Sequence, residues 1–338
     1  MKNNLKYIIL CLLLIILISL LLNRNNLELF TGNSTGDLPP FPIDVVYTWA
    51  GEYNNTTNAR LSNNNELKYS LRSVIKYAPW VNKIFILMNP PKSKPSWFNE
   101  SYKNKIILVD HNDTFKKEHM PCTNSNSIET TIINIPGLSE HFIYFNDDVF
   151  LGNNVSYLNF FNKDGSKIIV DDKRIENCKS MIIENTMSKV DFKLPEYCGV
   201  SQHIPFANKK SIIRKYQETY SDYVEWVRNI RSRKGTGRTA CNGNNLHKWC
   251  QQQHGPIGKF AYDNGDAIIK SFDKKDIVYI AKEYDPELKR LDEVKQTHPL
   301  FFCVNDVKIN DDNERKNFYD KFNHFMEEYF NEHPFFEV

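Results

Sequence analysis

The residues with the most chemical potential in this chain are acids placed at the ends of apolar runs. Residues 141–145 read HFIYF and pass straight into Asn146-Asp147-Asp148. Adjacent carboxylates after an apolar strand can act as hard oxygen ligands for Mg²⁺ or Mn²⁺, and such an ion neutralises a bound diphosphate. The same acids serve equally well as a solvated turn or a helix cap. Asp44 lies within IDVVYTW, Asp110 closes KIILVD, and Asn305-Asp306 closes FFCVND near the far end of the chain. No glycine-rich phosphate loop of the GxGxxG or Walker type occurs. A diphosphate would therefore be held by metal and side chains rather than by a nest of backbone amides.

These acids need elements to position them. Ile43 to Trp49 is β-branched and aromatic, the pattern of a buried strand. From Glu66 to Tyr77, the residues Leu67, Leu71, Val74 and Ile75 recur at helical spacing, and Pro79 ends the run. Residues 83–88 and 105–109 read as two more strands, 127–135 as a helix stopped by Pro136-Gly137, and 141–145 as a fourth strand. Residues 211–228 and 318–330 read as helices. Strand and helix alternating in this way predict an α/β fold, a mostly parallel sheet with flanking helices and a helical C-terminal part. Ligands of such sheets lie outside the carboxyl ends of the strands, where Asp110 and Asp147-Asp148 fall.

Composition narrows the function. Of 338 residues, 41% are hydrophobic and 25% charged, a globular balance that excludes wholesale disorder. Lys plus Arg number 43 against 41 acids, a net charge of +2, so there is no basic field to recruit nucleic acid. Aromatics at 13% can fill a core or line a sugar site. Residues 7–22 are almost wholly aliphatic, about 24 Å long as a helix. With Lys2 and Lys6 before it and Arg24 after it, the segment reads as an uncleaved membrane anchor with a cytosolic N-terminus. The rival is a cleaved signal peptide, although LLNRNN lacks a small-x-small cleavage site. The expected organisation is an anchor and linker over 1–36 and a catalytic domain over 37–338, a type II protein facing the Golgi or ER lumen or the extracytoplasmic space. Sequons at Asn33, Asn54, Asn55, Asn99, Asn112 and Asn154 fit that placement. So do six cysteines outside the apolar segment, for which proximity suggests Cys178–Cys198 and Cys241–Cys250, leaving Cys122–Cys303. The absence of any CxxC pair argues against zinc.

The strings IDVVYTW (Ile43–Trp49), NELKYSLRSVIKYAPWVNKIFI (65–86), PSWF (95–98) and IPGLSEHFIYFNDDVFLG (135–152) resemble the Stealth family. That family includes bacterial capsule polymerases and the alpha/beta precursor of N-acetylglucosamine-1-phosphotransferase. MPCTNSNSIE (120–129) is similar to its LPTFNS-type stretch, QHIPF (202–206) to its third block, Ile230-Arg231-Ser232 to its arginine-serine element and FFCVND (301–306) to its fourth block. The resemblance spans about 300 residues in order. Two stretches depart from it. Ala50-Gly51-Glu52-Tyr53 replaces the usual polar residues after the YTW motif, and residues 234–255 form an unusual loop.

The resemblance implies a GT-A-like fold, with residues 37–175 binding a nucleotide sugar and 176–338 completing the acceptor and catalytic side. It implies transfer of a sugar 1-phosphate from a UDP-sugar, with UDP-N-acetylglucosamine as the specific case, to a hydroxyl of a glycan, releasing UMP with Mg²⁺ or Mn²⁺. His203 is then the general base, since an unperturbed imidazole titrates near 6.5. Arg231 would bind the oxygens that gain charge in the transition state. Asp148 and Asp44 join them as catalytic candidates. Trp49, Arg72, Asn146 and Asn305 are donor-site candidates, and Asp147, Asp148 and Asp306 are metal ligands. Two alternatives stay open: a GT-A glycosyltransferase that breaks the bond at the anomeric carbon, and a weakly active carbohydrate-binding member.

Overall fold

The structure is a computed structural model that describes residues 38–51, 64–89, 94–176, 178–179, 192–198, 203–232, 253–281, 288–305, 311–332 and 334–338. IDVVYTW becomes strand β1 (Ile43–Trp49), six of its seven residues buried. Helix α1 (Glu66–Tyr77) buries its stripe of Leu67, Leu71 and Val74. Strands β2 (Ile84–Met88) and β3 (Ile106–Asp110), the short helix α2 (Ser125–Glu129) and strand β4 (His141–Asn146) continue the alternation. Then come β5 (Val149–Leu151), β6 (Ile168–Asp171), α3 (Asp172–Glu176), β7 (Cys178–Lys179), β8 (Tyr197–Cys198) and β9 (Phe206–Lys209). Helices α4 (Lys210–Thr219), α5 (Ser221–Asn229) and α6 (His254–Asp263) follow, with strands β10 (Ala267–Lys270) and β11 (Ile277–Ala281). Helix α7 (Arg290–Thr297), strand β12 (Phe301–Asn305) and helix α8 (Asp312–Tyr329) close the chain. The expected helix over 211–228 is two helices, because Tyr220 leaves helical geometry at φ −123° and ψ 40°.

The main sheet runs β3-β2-β1-β4-β9, its first four strands parallel and β9 antiparallel to β4. This is the mostly parallel α/β arrangement expected of the sequence. The parallel register puts Asn146 beside Thr48, Trp49 beside Met88 and Met88 beside Asp110, so these residues share the carboxyl edge. Periodicity did not foretell a second sheet, β11-β12-β5, in which β5 runs antiparallel to β12. The stretches 37–175 and 176–338 thus interlace, since β9 joins the first sheet and β5 the second. Residues Pro39–Val338 form one compact unit.

Two serines of α1 seat β5. Tyr47 donates its hydroxyl to Ser70 Oγ at 2.8 Å, and Ser70 donates onward to the Val149 carbonyl. The Leu151 amide donates to Ser73 Oγ at 3.0 Å. Polar residues are tolerated inside this buried helix face because each one finds a partner. Gly152 ends β5 where any Cβ would lie 2.5 Å from the Pro299 carbonyl oxygen, so only glycine allows that approach. One apolar core surrounds the main sheet. A second packs Phe318, Phe322, Phe325 and Met326 of α8 against Phe150 and Phe302, which stack at 4.9 Å between ring centres. Each such side chain contributes about 1.5–3 kcal/mol on burial.

Cys178 and Cys198 form a disulfide across β7 and β8, as proximity suggested. The expected Cys122–Cys303 bridge is corrected, since both are buried thiols. The Cys122 sulfur faces the Asn124 carbonyl at 3.8 Å, and Cys303 faces Asp148 at 3.5 Å. Cys241 and Cys250 lie outside the described residues.

Candidate active site

Asp148 is held from a distant part of the chain. Strand β4 delivers Asn146, the chain turns at Asp147-Asp148, and β5 leaves. Strand β12 lies alongside, with Cys303 opposite Val149. The Val304 amide donates to the Asp148 carbonyl at 3.1 Å. Asn305 Nδ2 donates to Asp148 Oδ2 at 3.2 Å, and the Cys303 sulfur lies 3.5 Å from that same oxygen. His203 enters three residues before β9, its Nδ1 3.7 Å from Asp148 Oδ2 and its ring 5.6 Å from Tyr279. Both Asp148 and His203 are about four-fifths covered, with side chains 17% and 18% exposed.

Electrostatics at this strand end favour a cation. Burial first, then the neighbouring Asp148 and Glu66 carboxylates, push the Asp147 carboxyl well above its ordinary range. Asp148 Oδ1 is buried and accepts no hydrogen bond among the described residues. Burial and the two aspartates likewise push the Cys303 thiol well up, so it stays protonated. Asp148, His203 and Cys303 each offer one ligand atom, all within 4.8 Å of one another. A protonated thiol is a poor ligand. The sulfur is therefore the weakest of these three as a ligand.

Tyr144 carries the neighbouring Asn146. Its hydroxyl accepts from Thr48 Oγ1 at 2.8 Å and donates to Asn146 Oδ1 at 3.0 Å. Behind it, His254 stacks between Tyr144 and Phe206 at 4.0 and 5.0 Å, and the Gln253 amide donates to Glu129 at 2.7 Å.

The expected residues divide into groups. Asn146, Asp147, Asp148, His203 and Asn305 gather at one strand end. Asp44 does not join them. It sits fully buried near the amino end of β1, where it accepts from Asn82 Nδ2 at 2.8 Å, the Lys83 amide at 3.1 Å and the Ser139 amide at 2.7 Å. Those bonds tie down the turns into β2 and β4, which corrects its role as a base. Trp49 is 5% exposed within the main core, so it offers no open face for stacking on a base. Arg72 is corrected from donor group to clamp: it pairs with Glu327 at 2.7 Å and with Glu337 at 2.5 Å. Arg231 is exposed and donates to the Met120 carbonyl at 2.9 Å, while its own carbonyl accepts from the Thr123 amide at 2.8 Å. It thus docks on residues 120–123 and makes no contact with Asp148 or His203 among the described residues. Asp110 caps a short 3-10 turn, its oxygen accepting from the Asn112 amide at 2.8 Å. Asp306 and Glu52 lie outside the described residues. Sequence reasoning passed over Cys303 as a site residue, and its place two positions before Asn305 in FFCVND was the available signal.

Known proteins identify the family of the chain. A family model described as Stealth protein CR2, conserved region 2, matches residues 60–169. A capsular polysaccharide phosphotransferase of Neisseria meningitidis serogroup B is 30% identical over 330 residues, covering 87% of this chain and 84% of that protein. Another from Actinobacillus pleuropneumoniae is 37% identical over 175 residues, 45% of this chain and 47% of that one. Among solved structures, the glycosyltransferase GlyE of Streptococcus pneumoniae has a TM-score of 0.40 at 11% identity over 86% of this chain and 63% of its own. The galactosyltransferase LgtC has a TM-score of 0.41 at 10% identity, covering 84% and 95%. These relatives correct the expected placement as a type II protein of the Golgi or ER, since the phosphotransferases matched are bacterial. Among the described residues, moreover, no helix is long and apolar enough to cross a membrane, and residues 7–22 lie outside them. With its conserved region 2 matched and a relative 30% identical over 87% of this chain and 84% of its own, the chain belongs to the Stealth family of sugar-phosphate transferases and is a phosphotransferase.

Proposed function

We propose that the chain transfers a sugar 1-phosphate from a UDP-sugar, with UDP-N-acetylglucosamine as first choice, to a hydroxyl of a glycan. The observation that carries the reading is the meeting of Asp148, His203 and Asn305, drawn from three separate stretches, at the carboxyl end of β4. His203 takes the proton of the acceptor hydroxyl. The acceptor oxygen forms its bond to the phosphorus that carries the sugar, the bridging P–O bond breaks, and UMP leaves with the electron pair. For Arg231 to meet the non-bridging oxygens, which gain charge in the transition state, its guanidinium has to leave the Met120 carbonyl. Asp147 and Asp148, with Asp306, would hold Mg²⁺ or Mn²⁺, which supplies charge neutralisation on the diphosphate. Asn305 and Asn146 orient the donor.

The test is to incubate the full chain with UDP-N-acetylglucosamine, a glycan acceptor and Mg²⁺, and to identify the nucleotide released. UMP is the expected product. UDP would mean cleavage at the anomeric carbon and would defeat the reading. Asp148→Ala should lower turnover on the order of 10²-fold or more while the protein stays folded.

A further inference from the structure

The grip of β12 on Asp148 is asymmetric. Asn305 Nδ2 and the Cys303 sulfur both address Oδ2, at 3.2 and 3.5 Å, and the Val304 amide fixes the backbone of the same residue at 3.1 Å. Nothing among the described residues donates to Oδ1, although that atom is buried. A carboxylate with two donors on one oxygen has its plane fixed and keeps the other oxygen for a ligand. Cys303 is 0% exposed, and its sheet neighbours Val149 and Tyr279 are set by register. A cysteine is apolar enough for this core position and can also donate a weak hydrogen bond.

We propose that Cys303 is a positioning residue for the transferase reaction, its S–H donating to Asp148 Oδ2 so that the carboxylate plane is fixed beside His203 and Oδ1 stays available to a ligand. The proposal deepens the functional reading above and rests on it for its kinetic consequence, but not for the hydrogen bond itself. The arrangement also accounts for a thiol that stays unbridged. Its sulfur is turned toward a carboxylate, and the other described thiol, Cys122, is turned toward the Asn124 carbonyl.

Two measurements on the full chain test it. The first uses the infrared S–H stretch, which lies in a window otherwise clear of protein bands. The Cys303 band is assigned as the one lost in Cys303→Ala. A carboxylate acceptor lowers its frequency, so Asp148→Asn should move it upward; a band that does not respond to Asp148→Asn overturns the proposal. The second measurement compares Cys303→Ala with Cys303→Ser. Loss of a partner behind a reactive carboxylate costs roughly 10-fold. Cys303→Ala should therefore lower kcat roughly 10-fold with donor KM nearly unchanged. Cys303→Ser, which restores a donor but not the apolar bulk, should recover most of kcat without recovering Tm. If serine is no better than alanine in kcat, or if alanine keeps full kcat, Cys303 only packs. Should the wild-type chain release no nucleotide, the transferase reading fails, and the infrared band alone decides the hydrogen bond.

Discussion

Replacing Arg72 with methionine decides between a donor-site residue and a structural clamp. Its guanidinium is 2% exposed and fully engaged with the C-terminal stretch. Nε and Nη2 donate to the two oxygens of Glu337 at 2.5 and 2.6 Å, and Nη1 donates to Glu327 at 2.7 Å and to the Phe330 carbonyl at 3.0 Å. Glu337 is only 9% exposed, so losing the arginine strands a buried carboxylate together with a buried carbonyl. Glu327, at 40% exposed, can turn to water and adds little. Breaking one partner of a buried pair costs about 3–5 kcal/mol. Because the Glu337 side chain keeps some exposure to water, the lower end, about 3 kcal/mol, is expected. For a chain of this size that lowers Tm by about 4 °C. Urea melts should show a lower midpoint at an unchanged slope. The double variant Arg72→Met with Glu337→Gln should recover much of the loss, since no unpaired charge remains. The reasoning is refuted if Arg72→Met melts with the wild type while donor KM rises about tenfold, because the guanidinium would then belong to the donor site.

Two further outcomes follow from buried titratable groups. Burial outweighs the Asp110 carboxylate and pushes His111 down to about 4, so the folded protein holds it neutral while the unfolded chain protonates it near 6.5. The folded-state value is depressed. The stability it contributes is therefore present above about pH 6.5 and is lost as pH falls toward 4, a total of roughly 3 kcal/mol at about 1.4 kcal/mol per pH unit. Tm followed from pH 7 to 4 should show this slope, and His111→Gln should flatten it; equal slopes would remove His111 from the account. Asp147 is the opposite case. Its folded-state value is raised, so its contribution is greatest at low pH and is lost as pH rises. Asp147→Asn should therefore raise Tm at neutral pH without divalent ions, by a gain of about 1 kcal/mol. Mg²⁺ should stabilise the wild type but not this variant, and a wild-type Tm indifferent to Mg²⁺ would remove Asp147 from the metal site.

Much of the first half was legible because its signals are local. Apolar periodicity gives β1 and α1 the bounds they have in the fold. The parallel sheet then sends Asp147 and Asp148 to a carboxyl edge. What could not be read was which acid lies at which end of a strand once loops are closed. Asp44 and Asp148 look alike as acids beside apolar runs, yet register places Asp44 opposite Phe142, at the amino half of β4, where backbone amides consume it. Arg72 misled for a similar reason. A basic residue on the first helix of a nucleotide-sugar half invites a phosphate, but its acidic partners come from more than 250 positions away, beyond the reach of any local pattern. The strands β5 and β12 escaped because three- and five-residue apolar runs, VFL and FFCVN, carry no period of their own.

Those two short strands hold the logic of the site. At the turn after β4, burial and the neighbouring Asp148 and Glu66 carboxylates oppose ionisation of Asp147, and the support of Asp148 comes from both sides of the turn. Serines of α1 pin β5 from one side, and β12 pins Asp148 through its backbone and one carboxylate oxygen from the other. Strand β12 is in turn held by the stacked Phe150 and Phe302 under α8, whose last turn is locked to α1 through Glu327 and Arg72. The clamp at Arg72 and the carboxylate at Asp148 are thus two ends of one mechanical path. The C-terminal helix carries no candidate catalytic group among its described residues, yet it packs the strand whose Asn305 and Val304 hold Asp148.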